Sequence, residues 1–271
     1  MTIRVQAHQL VDPDPEDELD FMEEMLDEVL DTVAINLDNL GSAFHRALRM
    51  LGFRVHLNKS QPEILAALQT IAQLGVALFQ RGQVGPGTMV RVQISGQQVL
   101  LPGGITTYHT ASRWLHAVSS AFCLRDHAAQ TKLAEWRLDN FAGGYDVYLD
   151  HLVQALIYHI DGEPGIADFL ERAEEAIEVA RVFPQRAREL GGPLVAFARS
   201  VLVEGGAQMN ERLAEGLDWY RIVHERAKHS HEAQSVVPLV YLGLTAIAHD
   251  RGMVCSVESD YLPRWVVEGS F

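Results

Sequence analysis

From Thr107 to about Arg251 the apolar residues of this chain recur at three- and four-residue spacing, and only glycine, proline and turn clusters interrupt them. That period puts an apolar stripe on each segment, so the segments must be amphipathic helices that bury their stripes against one another. The interruptions fall at Asp126, Gly143 with Gly144, Gly162 to Pro164, Pro184, Gly205 with Gly206, and an HSH turn. They predict helices over 110–124, 126–136, 145–160, 165–182, 188–204, 207–229 and 233–251. The stretches 111–136 and 145–178 each read as a helix hairpin, and Ala121 and Ala155 stand 34 residues apart, close to the period of a tetratricopeptide array. A solenoid needs about three units to bury a continuous core, and two approximate copies fall short of that. The expected fold is mainly α, a compact multi-helix bundle of antiparallel helix hairpins with tetratricopeptide-like local stacking.

Ahead of this region a short strand is expected around Ile3 to Val5. Met22, Met25, Leu26, Val29, Leu30, Val33 and Leu37 then recur at helical spacing and predict a helix from about Glu16 to Asp38, with Pro13 and Pro15 before its start. A second helix is predicted over 39–51. A third runs from the N-cap Ser60, followed by Pro62 and Glu63, to about Gln80, where Gly82 stops it. The period then switches to two: Val90, Val92 and Ile94 alternate with Arg91 and Gln93 before a tight turn at Ser95 and Gly96, so one small β-hairpin belongs near 88–101. After Gly252 a short C-terminal strand over 253–257 and a final loop or helix complete the chain. With 48% hydrophobic residues in 271, a single domain over 1–271 is expected.

Charge is distributed unevenly. Residues 12–31, DPDPEDELDFMEEMLDEVLD, hold eleven of the 36 carboxylates and none of the 22 lysines and arginines, so most of the net charge of −14 lies in the acidic N-terminal region 1–40. The balance excludes direct nucleic-acid binding and docking on an anionic membrane, and it favours a basic partner. Asp12, Asp14, Glu16, Glu18, Asp20 and Glu23 fit the alternate positions of a calcium loop, but Asp17 takes the place of the required glycine and two prolines fall inside the frame. A solvated helix face is the simpler account. Against it, Glu16 and Asp20, Asp20 and Glu24, Glu24 and Glu28, and Asp27 and Asp31 are like charges four apart, each pair costing about 0.2 to 0.5 kcal/mol. A face chosen for solubility alone interleaves lysines.

Other chemistry is sparse. Cys123 and Cys255 sit in apolar stretches and read as buried thiols of a reducing compartment, and the N-terminus lacks the apolar run of about 7 to 15 residues that a signal peptide needs, so a cytoplasmic protein is expected. His224, His229 and His231 cluster near one helix end, where with Lys228 they suit the negative end of a helix dipole. His151 and His159 lie two turns apart, and His159 falls in an apolar frame that suggests a satisfied core group. Neither cluster has a cysteine nearby, so no metal site is expected. The patterns G-x-S-x-G, G-x-x-x-x-G-K, G-x-G-x-x-G and H-E-x-x-H do not occur. Trp114, Trp136, Trp219 and Trp265 are read as core packing or interface anchors. No cofactor is expected, and no catalytic residue is assigned.

The C-terminal segment LGLTAIAHDRGMVCSVESDYLPRWVVEG is more specific. A hydrophobic helix, then Asp250, Arg251 and Gly252, then a strand with Val257 and Glu258, then Ser259, Asp260, Tyr261, Leu262 and Pro263, resembles the ending of the immunity 49 family of polymorphic-toxin immunity proteins. Arg113 and Trp114 open a helix that runs through Ala121 to Arg125 and Asp126, much as that family follows a small β element with a tryptophan-bearing helix. The resemblance covers roughly residues 85 to 265. It implies a mostly helical, non-enzymatic protein that binds and neutralises a cognate toxin in interbacterial competition. In it Trp114, Arg125, Asp126, Asp250, Gly252, Ser259, Tyr261, Leu262 and Pro263 act as structural fasteners.

Charge and resemblance together point to a toxin with a basic cleft, such as one that attacks nucleic acids, met by Asp17, Asp20, Glu24, Asp27, Glu28 and Asp31 on the first helix. Two alternatives stand beside this: a helical-repeat adaptor that binds a peptide or regulatory protein, and a helical enzyme whose carboxylates and histidines meet only in space.

Overall fold

Ser60 and Glu63 close a reciprocal capping box: the Ser60 N–H donates to the Glu63 carboxylate at 2.9 Å, and the Ser60 hydroxyl serves the third helical residue. This box starts the longest helix of a computed structural model that describes residues 2–10, 14–36, 38–94, 96–137, 141, 147–226 and 233–271. In chain order the elements are β1 (Ile3–Arg4), α1 (Pro15–Asp31), α2 (Asn39–His56), α3 (Gln61–Gly82), β2 (Met89–Ile94), β3 (Gln97–Pro102), α4 (Ala111–Leu124), α5 (His127–Ala134), α6 (Val147–Asp161) and α7 (Ile166–Glu178). There follow α8 (Pro184–Arg186), a π turn (Ala187–Gly191), α9 (Gly192–Leu202), α10 (Met209–Arg226), a 3-10 turn (Ala233–Val236), α11 (Leu239–Asp250), β4 (Val257–Glu258) and α12 (Arg264–Val267). The fold is mainly α. The chain divides into two units, one of Gln9–Gly143 with His231–Val237, the other of Met1–His8, Gly144–Ser230 and Pro238–Phe271.

In the unit of residues 9–143, α3 is central and packs on α2, α4, α5 and β2. By length and composition α3 is apolar enough to span a bilayer, yet most of it is buried within the protein. Gly75 allows α4 to come close, since a Cβ there would fall 2.2 Å from that of Ala117. Phe44, Leu74, Leu78, Phe79 and Trp114 fill the core between these helices. The β-hairpin pairs Val90 with Leu101, Val92 with Val99 and Ile94 with Gln97, and it buries Val92, Ile94 and Leu101 on one face.

In the other unit α6 and α7 form a hairpin, and α9 packs on α7, α10 and α11. Arg251, one residue past α11, donates from Nη1 to the carbonyls of Val201 (2.8 Å) and Leu202 (3.2 Å) and so caps the end of α9. Gly252, at φ +79°, turns the chain out of α11. Asn210 fastens the segment beyond that turn: its Nδ2 donates to Val254 and its Oδ1 accepts from the Ser256 N–H. β4 then pairs in parallel with β1, Ile3 opposite Val257 and Arg4 opposite Glu258.

Several boundaries differ from the sequence reading. Pro15 lies in the first turn of α1 and not before it, because the N–H it lacks has no intrahelical partner there. The first helix ends at Asp31, where Thr32 turns its hydroxyl back to the carbonyls of Glu28 and Val29. α2 runs on to His56, and α7 stops at Glu178. The predicted helix 188–204 starts at Pro184 and contains a π turn, while 233–251 splits at Pro238, which cannot continue a helix. The C-terminal strand is Val257–Glu258 and leaves out residues 253–256, and Cys255 is part-exposed although Cys123 is buried. Asp12, Pro13, Leu37, Ser95, Gly143, Gly144, Lys228, His229 and His231 lie outside the described residues.

Candidate functional site

The spacing of α1 sets a buried side, two flanks and an outer face. Leu19, Met22 and Leu26 are buried, and the helix packs on α2. On the flanks, Glu16 and Glu23 to one side of the buried residues and Glu18 to the other, carboxylates meet cations of α2 and the loop after it: Glu16 has Lys59 at 3.7 Å, Glu23 has Arg54 at 2.8 Å and Glu18 has Arg49 at 3.5 Å. The outer face carries Asp17, Asp20, Glu24, Asp27, Glu28 and Asp31, all exposed. At about 100° per residue these six fall within an arc of about 100°, one stripe along the whole helix. No ion pair joins any of the six to a cation among the described residues, so part of the acidic run is neutralised at home and the rest faces water.

Asp14 caps the helix, its carboxylate accepting from the Asp17 N–H. Asp14 also holds the Asp17 carboxyl above its usual range, chiefly by repulsion. The calcium frame is not built as a loop, because Glu16, Glu18, Asp20 and Glu23 are wound into the helix and three of them are paired. Among the described residues no group of three His, Cys, Asp or Glu is placed to hold a metal ion.

One member of this surface was missed by the sequence reading. Phe21 is 50% exposed and stands beside the acidic stripe, four residues after Asp17, three before Glu24 and seven before Glu28. Its signal was its position: it falls outside the frame of Leu19, Met22 and Leu26. The cations Arg49, Arg54 and Lys59 were also missed, since only the packing of α2 on α1 brings them to its flanks.

The residues of the C-terminal and middle motifs lie elsewhere. Trp114 is fully buried and donates from Nε1 to Leu133, tying α4 to α5. Arg125, at φ +55°, ends α4, and the Asp126 carboxylate caps α5 through the Ala129 N–H. Asp250 is the last residue of α11, with the His249 ring at 3.4 Å. The Ser259 hydroxyl accepts from the Tyr261 N–H, Leu262 is buried, and Pro263 precedes α12. Tyr261 is buried beside His8 and Tyr220, with His224 in the same cluster of rings. His224 thus stacks on His8 at the end of α10, and His159 takes the Nη2 of Arg251 at 3.1 Å on Nδ1, which burial keeps neutral with a pKa lowered to about 4. Of the tryptophans, Trp114 and Trp136 are core residues and Trp219 is part-buried.

A groove of about 640 Å3 lies along the π turn, lined by Arg188, Glu189, Pro193, Arg212, Glu215 and Trp219. Its charges are mixed. Glu189 accepts from Gln185 and Arg226, which hold its carboxyl below the usual range.

The fold is thus a mainly helical one in which the C-terminal and middle motif residues serve as caps and packing and one helix presents an acidic outer face. Residues 56–266 match the family model described as Immunity protein 49. The match covers well over half of the chain, begins earlier than the resemblance read from residues 85 to 265, and leaves α1 outside it. The chain belongs to the Immunity protein 49 family; it is an immunity protein, and its partner is a cognate toxin. Comparison with curated proteins and with solved structures finds no match.

Proposed function

We propose that this immunity protein neutralises its toxin by direct binding, with the exposed acidic face of α1 entering a basic cleft of the toxin. The observation that carries the reading is the division of the acidic run: Glu16, Glu18 and Glu23 are paired within the protein, while Asp17, Asp20, Glu24, Asp27, Glu28 and Asp31 form one stripe with no cation among the described residues. Repulsion along such a stripe works against the helix, so a binding role accounts for it better than solubility does. A cationic cleft of the kind that holds nucleic-acid phosphates is the complementary surface, and a rigid carboxylate face both blocks it and speeds encounter. The protein then acts on a nucleic-acid-targeting toxin in the cytoplasm, without contacting nucleic acid itself. α1 lies outside the family match, which suits a surface that selects one toxin among many.

The test is co-expression with the C-terminal domain of the protein encoded next to this chain. That domain should kill cells unless the immunity protein is present, and the two should co-purify. Reversing Asp20, Glu24 and Asp31 to lysine should slow association and flatten its salt dependence. Rescue of growth without a complex would overturn direct inhibition, and unchanged binding by the triple variant would remove the acidic face from it.

A further inference from the structure

Phe21 stands outside the buried frame of α1. Leu19, Met22 and Leu26 make the buried side of α1, whereas Phe21 points away from that side and leaves half of its surface in water. It does so within one or two helical turns of Asp17, Glu24 and Glu28, all exposed. An aromatic ring bordered by carboxylates offers two things to one cation: a π face for the planar group and oxygens for its N–H donors. Arginine answers both at once, since a guanidinium stacks on an aromatic ring while its edge meets a carboxylate; a lysine ammonium is more strongly hydrated and lacks the planar fork. Interfaces whose energy is concentrated have this form, an aromatic anchor desolvated at the centre and charges around it.

We infer that Phe21 is the anchor of the toxin interface and that it receives an arginine of the toxin, whose guanidinium lies on the ring and reaches Glu24 or Glu28. The inference rests on the acidic face of α1 being the docking surface, and it names the chemistry of the partner there: an arginine-bearing surface, with the long-range charge giving the approach and Phe21 the persistence of the complex. Phe21 acts after encounter, so its removal leaves the association rate and its salt dependence intact.

The experiment measures association and dissociation rates of the co-purifying toxin domain with the full-length protein carrying Phe21→Ala, Phe21→Trp, or the triple reversal of Asp20, Glu24 and Asp31. The expected result is that Phe21→Ala dissociates at least about tenfold faster with an unchanged association rate, while Phe21→Trp, which keeps the π face, stays within about twofold of wild type. Dissociation of Phe21→Ala at the wild-type rate overturns the anchor. If the triple reversal still slows association, the acidic face survives that result; if neither set changes binding, both fall. Sedimentation of the isolated protein supplies the remaining outcome: a wild-type dimer dispersed by Phe21→Ala would assign the ring to a second copy of this chain and overturn the inference. Thermal melting of each variant confirms that a lost complex is not a lost fold.

Discussion

The hydroxyl of Tyr261 accepts the backbone N–H of His8 at 2.9 Å and shares a second hydrogen bond with the Nδ1 of the same residue, so one phenol serves two buried groups 253 positions away in the chain. The His8 ring stacks on His224 and tilts against Tyr220 and Tyr261, which joins the segment after β1 to α10 and to the turn before α12. Replacing Tyr261 by phenylalanine keeps the ring and removes the hydroxyl from both groups. The expected cost is about 1 to 3 kcal/mol, read as a lower denaturant midpoint. A midpoint equal to that of wild type would mean that the hydroxyl contributes nothing.

The same cluster makes stability depend on pH. Burial first, and then the neighbouring His224, lower the His8 pKa from 6.5 to about 4, while Glu225 acts in the opposite sense. Between those values the unfolded chain takes up a proton that the folded chain refuses, so stability is highest above pH 6.5 and falls as pH drops toward 4. His159 beside Arg251 is lowered to about 4 as well and adds a loss of the same sign. At the alkaline end Tyr261 is pushed up to about 12, mainly by burial, so stability is lost as pH rises above 10. Thermal midpoints should therefore fall when pH is lowered from about 7 to about 4.5. A flat profile over that window would contradict a His8 that is buried and neutral.

Gly52 of α2 faces the 3-10 turn of Ala233–Val236 so closely that a Cβ would sit 1.7 Å from the Ala233 carbonyl oxygen. Backbone cannot swing aside as the end of a side chain can. Gly52→Ala should cost at least about 1 to 3 kcal/mol despite its gain in helix propensity, and urea melts will show it.

Arg251 caps the end of α9 and donates to the Nδ1 of His159. Arg251→Met keeps the stem and removes the guanidinium, so the Val201 and Leu202 carbonyls lose a donor at a cost of about 1 to 2 kcal/mol. Its second readout is specific: Arg251 helps to lower the His159 pKa, which should rise in the variant when followed by NMR. A purely steric role for Arg251 would leave that titration where it is.

Local signals were legible in the sequence and long-range ones were not. The Ser60 and Glu63 box and the alternation Val90, Val92, Ile94 depend on neighbours a few residues away, so the start of α3 and the hairpin were readable. The pairing of β1 with β4 sets Ile3 against Val257, at opposite ends of the chain, and the π turn at Ala187–Gly191 has no composition of its own. The candidate surface shows the same division. The acidic run was plain, but which of its carboxylates are neutralised depends on Arg49, Arg54 and Lys59 being brought to the two flanks of α1. Phe21 was hidden because a lone aromatic in a helix is ordinarily counted as core.

The two faces of α1 predict opposite responses to charge reversal, and this separates binding from folding. Glu24→Lys with Asp31→Lys places cations next to Asp20, Asp27 and Glu28 on the exposed stripe, turning repulsive pairs at three- and four-residue spacing into attractive ones worth about 0.2 to 0.5 kcal/mol each. Position 31 is also the C-terminal end of the helix, where the dipole favours a positive charge over the native Asp31. The double variant should therefore melt at or slightly above the wild-type temperature while its association with the toxin domain slows and loses salt dependence. Glu23→Lys on the flank has the opposite effect on stability and spares binding: it breaks the pair with Arg54, whose side chain is mostly buried, and so lowers stability by up to about 1 kcal/mol, while the six exposed carboxylates and the approach of the toxin are left nearly as they were. If the stripe variant lost stability and the flank variant lost binding, the assignment of the two faces would be inverted, and the docking surface would have to be sought on the side that α1 shares with α2.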